Sequence, residues 1–321
     1  MRTPQHPIGS GFGYRSTAAE VIDGIDLSNR LAIVTGGYSG LGTETVKALV
    51  GAGAHVVVPA RRRATAEEAL DGVSGIEIDE LDLGDQASVR SFAERFLASG
   101  RSLDLLINNA GIMALPETRV GPGWEAQFAT NHLGHYALTN LLWPRLVAAG
   151  GARVVALSSR GHKRSGIRFD DLMFERGYDR WEAYGQSKSA NSLFAVQLDA
   201  LGADAGVRAF AVHPGPIMTP LQRHLSPEFL KEAGWVDEEG NLSERFKTPE
   251  QGAATATWAA TSPRLAGMGG VYCENCDIAD ETIAGSPTAE ESGVDAHAID
   301  PEIASRLWAV SAELTGVNAF A

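Results

Sequence analysis

Tyr184 and Lys188 stand four residues apart in WEAYGQSKSAN, a stretch with helical periodicity. Residues at that spacing share a helix face. A lysine beside a tyrosine favours the phenolate and lowers a pKa that starts near ~10. Such a tyrosine can exchange a proton with an alcohol or carbonyl oxygen. As a bare pair the signal is weak, because tyrosine and lysine meet on many helices by chance. Other polar groups add to it. Ser158-Ser159 close the apolar run RVVALSS, Asn108-Asn109-Ala110-Gly111 close LDLLI, and His213-Pro214-Gly215 close VRAFAVH, while Asn131 lies in the helical stretch beyond LDLLI. Each alone reads as a turn residue. Together they place proton-transfer and hydrogen-bonding groups at several strand ends, the edge where doubly wound sheets bind ligands.

A glycine-rich turn, TGGYSGLG (35–42), follows the run LAIV. It fails the common dinucleotide spacing, since Thr45 stands where the third glycine belongs. It also lacks the Gly-Lys-Ser/Thr of a P-loop, and Leu41 breaks the hydrolase elbow. What remains is Gly36, Gly40 and Gly42 between a strand and a helix. Glycine there lets the backbone approach a pyrophosphate, whose charge is met by the helix N-terminus. The bland alternative is an ordinary strand-to-helix turn.

The end of the second strand narrows the cofactor. A dinucleotide without a 2′-phosphate is held by an acidic residue there. Here the strand ends Pro59-Ala60-Arg61-Arg62-Arg63, with no carboxylate before Glu67. Arginine suits a 2′-phosphate through charge-assisted hydrogen bonds, so the position of Arg61 favours NADP(H) over NAD(H).

The elements that must position these groups are legible as alternation. Apolar runs recur at 31–35, 55–60, 76–81, 103–107, 153–158, 207–212 and 270–273. Most are too continuous for half-exposed strands and read as strands buried on both faces. Helical stretches lie between them, at 43–50, 86–97, 127–147 and 183–201. Strand–helix alternation predicts an α/β fold, with a doubly wound, seven-stranded parallel sheet flanked by helices in a single domain over 31–321. Residues 1–30 form an extension expected to pack along the surface. Residues 216–248 lack a strand pattern and are long for a connection, as lids and binding loops are. Thr248-Pro249-Glu250-Gln251 is a capping box that starts a helix, and 300–316 reads as a last helix capped at both ends.

Composition excludes several classes. Of 321 residues, 44% are hydrophobic, enough for a sizeable core. The formal charge of −13 disfavours nucleic acid and anionic lipid as partners. With two cysteines, no secretory leader and no apolar run near the ~18 residues that span a bilayer, the expectation is a protein of a reducing cytoplasm without membrane insertion.

With these motifs in place, the chain resembles the short-chain dehydrogenase/reductase family. TGGYSGLG matches its T-G-x-x-x-G-x-G turn, Asn108–Gly111 its N-N-A-G, Tyr184–Lys188 its Y-x-x-x-K, and Pro214-Gly215 the P-G after its sixth strand. The leader GFGYRSTAAEVIDGIDLS, the stretch NHLGH (131–135) and the wide serine-to-tyrosine gap are similar to the retinol-dehydrogenase-like branch, which includes the WW-domain oxidoreductase. The resemblance implies a Rossmann fold and interconversion of an alcohol and a carbonyl. It implies Tyr184 as general acid or base and Ser159, by analogy rather than Ser158, on the substrate oxygen. Lys188 would hold the nicotinamide ribose and lower the tyrosine pKa, and Asn131 would hold a water that relays protons to it. It further implies cofactor contacts from Gly36, Tyr38, Ser39, Gly40, Leu41 and Arg61, from Asp82 and Leu83 after the third strand, from Asn109, Ala110 and Gly111, and from Pro214, Gly215, Ile217 and Thr219. Tyr38 is bulky for its turn and could touch the 2′-phosphate region. Members of the family form dimers or tetramers, so a homodimer or homotetramer is possible, and the extension could serve such contacts. A cofactor-binding scaffold or sensor without turnover is the alternative of a different class.

Other residues have blander readings. Cys273-x-x-Cys276 lacks the further ligands a zinc site needs and ends a strand, so two ordinary thiols are expected. His132 and His135 share a helical face without supporting carboxylates. His162 lies just beyond Ser159 and could contact substrate. Trp181, Phe229 and Trp235 surround the expected pocket, as packing residues or as substrate stackers.

Overall fold

The computed structural model describes residues 2–321. Its central sheet contains β1 (Leu31–Val34), β2 (His55–Ala60), β3 (Ile76–Glu80), β4 (Leu105–Asn108), β7 (Arg153–Leu157), β8 (Arg208–His213), β9 (Val271–Glu274) and β10 (Asp277–Ile278). A separate hairpin pairs β5 (Arg119–Val120) with β6 (Trp124–Glu125). The order across the sheet is β3-β2-β1-β4-β7-β8-β9-β10. The seven expected strands are present and parallel. An eighth, β10, turns back antiparallel to β9 after Asn275 and Cys276, both of which have positive φ. Its two residues were too short a pattern to read from sequence.

The continuous apolar runs are explained by burial on both sides. In β1, Leu31 and Ile33 join one core while Ala32 and Val34 join the other, and β2, β4, β7 and β8 alternate in the same way. The first core lies under α4 (Gln86–Ala98), α6 (Gly134–Ala148), α7 (Arg180–Gly202) and α10 (Pro301–Thr315); the second lies under α1 (Ala18–Ile22), α2 (Leu41–Gly51) and α9 (Pro249–Thr261). The short helices α3 (Arg63–Ala69), α5 (Ala126–Phe128) and α8 (Pro227–Glu232) complete the set. Caps set the predicted boundaries: α9 begins on the Thr248 capping box, and α10 runs from an Asp300 cap to Gly316 at φ 64°.

Strand order reverses between β1 and β4, so their carboxyl ends diverge and open a crevice. The N-terminal segment runs from the β9–β10 edge of the sheet to the end of the 216–248 segment. Gln5 hydrogen-bonds the backbone of Tyr272 and Ala279, the Asp277 carboxylate accepts from the Ile8 and Ser10 amides, and Arg15 donates to the Phe246 carbonyl at 2.8 Å. The extension thus holds the end of the 216–248 segment against the body of the chain. That segment carries its own short helix, α8. Among the described residues, no helix is long and apolar enough to cross a membrane.

Candidate active site

The glycine turn binds itself together before it could bind anything else. Thr35 Oγ1 accepts from the Asn109 and Ala110 amides, and Asn109 Nδ2 donates to the Thr35 carbonyl at 2.8 Å. The ends of β1 and β4 are therefore stitched into one wall. Gly36 takes φ 65°, a conformation that favours glycine, and an added Cβ would sit 3.0 Å from Ala110 Cα. Gly40 precedes α2 without a side-chain cap. The Gly42 amide turns back to the Ser39 carbonyl at 3.1 Å, and the helix start is otherwise uncapped by a side chain, as at other phosphate-binding helix starts.

At the other end, β7 delivers two serines with different fates. Ser158 Oγ donates to the Lys188 carbonyl at 2.8 Å and accepts from Ser192, which fixes α7 to the sheet. Ser159 Oγ caps a 3-10 turn, accepting from the Gly161 amide at 3.0 Å, and lies near enough to the Tyr184 phenol to favour its anion. Gly161 presses against the Tyr184 ring so closely that a Cβ there would meet it at 2.8 Å.

Tyr184 and Lys188 are both buried on α7. Lys188 Nζ donates to the Leu157 carbonyl at 2.8 Å and lies 5.6 Å from the Tyr184 ring centroid. Burial pushes the phenol up to about 12, with the neighbouring Ser159 hydroxyl pulling the other way. Burial also pushes Lys188 down to about 8. The net shift of the tyrosine in the free protein is therefore upward. Its main cause is the removal of the phenolate from water.

Asn131 sits in a π-helical turn (Ala129–Leu133) between α5 and α6. The extra residue per turn, a feature found at functional sites, aims its side chain at Ile112 and Ser187. Oδ1 accepts from the Ile112 amide at 2.9 Å, and Nδ2 donates to the Ile112 carbonyl at 3.0 Å and to Ser187 Oγ at 2.9 Å. Its side chain holds protein groups, and its backbone carbonyl partners His135 Nδ1.

All the other sequence-predicted positions line one cleft of about 1380 Å³, from Gly36, Tyr38, Ser39, Gly40, Leu41 and Arg61, past Asp82, Leu83 and Asn109–Gly111, to Ser159, Tyr184, Lys188, Pro214, Gly215, Ile217 and Thr219. Asn131 stands behind that wall; a Cβ on Gly111 would lie 3.3 Å from its Oδ1 and 3.7 Å from Lys188 Nζ. The Asp82 carboxylate accepts from the Gly84 amide at 2.9 Å and so shapes its own loop. Tyr38 is half-buried against the core beneath α2.

The donor set fits a dinucleotide. Arg61 and Arg62 face the cleft without a carboxylate partner among the described residues, whereas Arg63 pairs with Glu67. Lys188 has ammonium hydrogens beyond the one given to Leu157. Trp181, Phe229 and Trp235 also line the cleft. Trp181 stacks on Phe229 at 5.5 Å, and Trp235 meets Phe229 edge-on at 6.1 Å. Leu221 and Leu225 pack with Trp181 around Tyr184 and Met113.

Three expectations resolve away from the cleft. His162 is fully buried; its Nδ1 donates to the Ser159 carbonyl, and its Nε2 accepts from the Asp295 amide. It therefore cannot meet substrate, because its ring has found partners in the core beside Tyr272. His132 and His135 make separate hydrogen bonds, to Ser311 and to Thr35. Cys273 and Cys276 are buried free thiols with raised pKa, Cys276 to about 11.

Sequence reading missed Arg223, which faces the cleft from the 216–248 segment. A signal existed. Thr219-Pro220-Leu221-Gln222 is a capping box of the same form as Thr248–Gln251 and fixes a short turn just before it.

The short chain dehydrogenase family profile matches residues 30–229. A Streptomyces antibioticus protein named "Probable oxidoreductase" is 47% identical over 88% of this chain and 97% of its own length. Mouse retinol dehydrogenase 12 is 36% identical over 92% and 89%. The solved structure of an uncharacterised Mycobacterium paratuberculosis protein aligns over 96% of this chain and 99% of its own, with a TM-score of 0.72 and 33% identity. Pseudomonas aeruginosa RhlG, in a complex with NADP, aligns over 78% and 95%, with a TM-score of 0.60 and 26% identity. With its motifs gathered on one crevice, the chain belongs to the short-chain dehydrogenase/reductase family and is an oxidoreductase of that family.

Proposed function

We propose that the protein is an NADP(H)-dependent oxidoreductase that interconverts an alcohol and a ketone or aldehyde on an apolar small molecule. The observation that carries this reading is the Ser159–Tyr184–Lys188 arrangement at one end of a cleft whose other end presents a glycine turn and unpaired arginines. When bound, the nicotinamide supplies the hydride chemistry.

The chain's own residues do the rest. Tyr184, protonated at neutral pH, gives its proton to the substrate oxygen in reduction and takes one back in oxidation. Ser159 Oγ, held by the Gly161 amide, hydrogen-bonds the same oxygen and stabilises charge as it develops there. Lys188 offers its free ammonium hydrogens to ribose hydroxyls. Asn131 fixes the Ile112 backbone and Ser187 on α7, and so positions both walls. Arg61 takes the 2′-phosphate, and RhlG, a relative that holds NADP, supports that choice. Trp181, Phe229 and Trp235 exclude water and favour a bulky apolar substrate.

Turnover of a panel of hydrophobic ketones and aldehydes is the test, with NADPH compared against NADH. We expect reduction with NADPH, and in Arg61→Asp a KM for NADPH raised about tenfold or more, with that for NADH little changed. NADPH binding without turnover on any substrate is the result a scaffold would give, and preference for NADH in the wild type contradicts the arginine assignment.

A further inference from the structure

The segment 216–248 does more than cover the substrate end. Its first turn is seated on the cofactor turn: a Cβ on Gly40 would come within 3.2 Å of Thr219 Cβ and Cγ2. The Thr219 capping box then fixes the 3-10 turn Pro220–Gln222, with Thr219 N donating to Gln222 Oε1 at 2.8 Å and Gln222 Nε2 donating to the Ile217 carbonyl at 2.8 Å. Arg223 follows directly. Its Nη1 donates to the Pro220 carbonyl at 3.0 Å, which fixes the direction of the side chain.

A like charge shares its cleft. Arg223 and Arg61 line the same cleft from different elements, and neither has a carboxylate partner among the described residues. Arg223 is close enough to Arg61 and Tyr38 to feel both, and its pKa falls through partial burial and then the Arg61 charge. Two guanidiniums facing one space, in a chain of net charge −13, form a site complementary to an anion with more than one oxygen to share.

We propose that Arg223 is a second, lid-borne arginine for the 2′-phosphate of NADP(H), placed opposite Arg61, so that the lid itself reads the phosphate. This rests on the NADP(H) reading above. It makes cofactor choice and lid closure one event: a dinucleotide with the 2′-phosphate draws Arg223, and with it Thr219–Phe229, onto the cleft, whereas one without leaves the two arginines repelling.

Calorimetric affinities for adenosine 2′,5′-bisphosphate, 5′-AMP and ADP-ribose test this without turnover, in the wild type, Arg61→Gln, Arg223→Gln and Arg223→Lys. The bisphosphate carries the 2′-phosphate, and ADP-ribose carries only the pyrophosphate. We expect the wild type to prefer the bisphosphate to 5′-AMP. Arg223→Gln should lose about tenfold in bisphosphate affinity, recover part of it as Lys, and bind 5′-AMP and ADP-ribose unchanged. Because the Arg223 side chain bonds only to its own turn, its variants should melt close to the wild type. An Arg223→Gln protein that keeps the full bisphosphate preference while Arg61→Gln loses it overturns the lid assignment and leaves the NADP(H) reading standing. An equal loss for ADP-ribose also overturns it, by assigning the arginine to the pyrophosphate. A wild type with no preference for the bisphosphate overturns both.

Discussion

Gly42 passes so close to Gly36 that a methyl group on it would stand 2.2 Å from the Gly36 carbonyl oxygen and 2.7 Å from Asn109 Nδ2. Both neighbours belong to the stitch between β1 and β4, so neither can retreat without opening the crevice. Gly42→Ala should therefore lower stability by ~3 kcal/mol and weaken cofactor binding with it. Gly51, exposed at the end of the same helix, would meet nothing within 4 Å. Gly51→Ala should be neutral or gain up to about 1 kcal/mol. Thermal melting and NADPH titration of the two variants check the contrast; equal effects would contradict it.

How much of this was legible in the sequence follows from what each element buries. The seven parallel strands announced themselves because burial on both faces leaves continuous apolar runs. The π-turn at Asn131 did not, because its residues continue the apolar pattern of the helices on either side. The six-residue α8 is too short to show a period. The strand-end motifs located the cleft residues, since a doubly wound sheet gathers strand ends at one edge. Orientation was not readable. His162, three residues from Ser159, turns inward to the Asp295 amide, and only the packing of β9 and its Tyr272 decides that. The tyrosine's environment was hidden for a related reason: spacing reports that Lys188 is near, but not how deeply both side chains are buried.

Buried neutral histidines predict acid sensitivity. Burial holds His132 at about 3, and His135 and His162 at about 4, against an ordinary 6.5. Between those values and 6.5 the unfolded chain binds more protons, so stability rises with pH and is lost as pH falls below 6.5. Denaturant midpoints measured from roughly pH 7 to pH 5 should fall steadily. The slope should be shallower by about one proton in His132→Gln. Parallel slopes for variant and wild type would contradict this account.

The two directions of catalysis should respond oppositely to alkali. With the phenol at about 12, Tyr184 remains a proton donor through neutral pH. Reduction should be flat until Lys188 begins to lose its proton near 8, and then fall as ribose binding weakens. Alcohol oxidation needs the phenolate, whose fraction grows about tenfold per pH unit. Initial rates in both directions from roughly pH 6 to 9 check this; reduction that accelerates with pH would contradict it.

The central claim is that Tyr184 moves the proton. Single-turnover reduction of a ketone or aldehyde substrate by Tyr184→Phe, with NADPH affinity measured on the same preparation, tests it most directly. Phenylalanine keeps the ring packed against Gly161 and removes only the hydroxyl. The account predicts a rate lower by about a thousandfold or more with NADPH affinity unchanged. Turnover at the wild-type rate would contradict it.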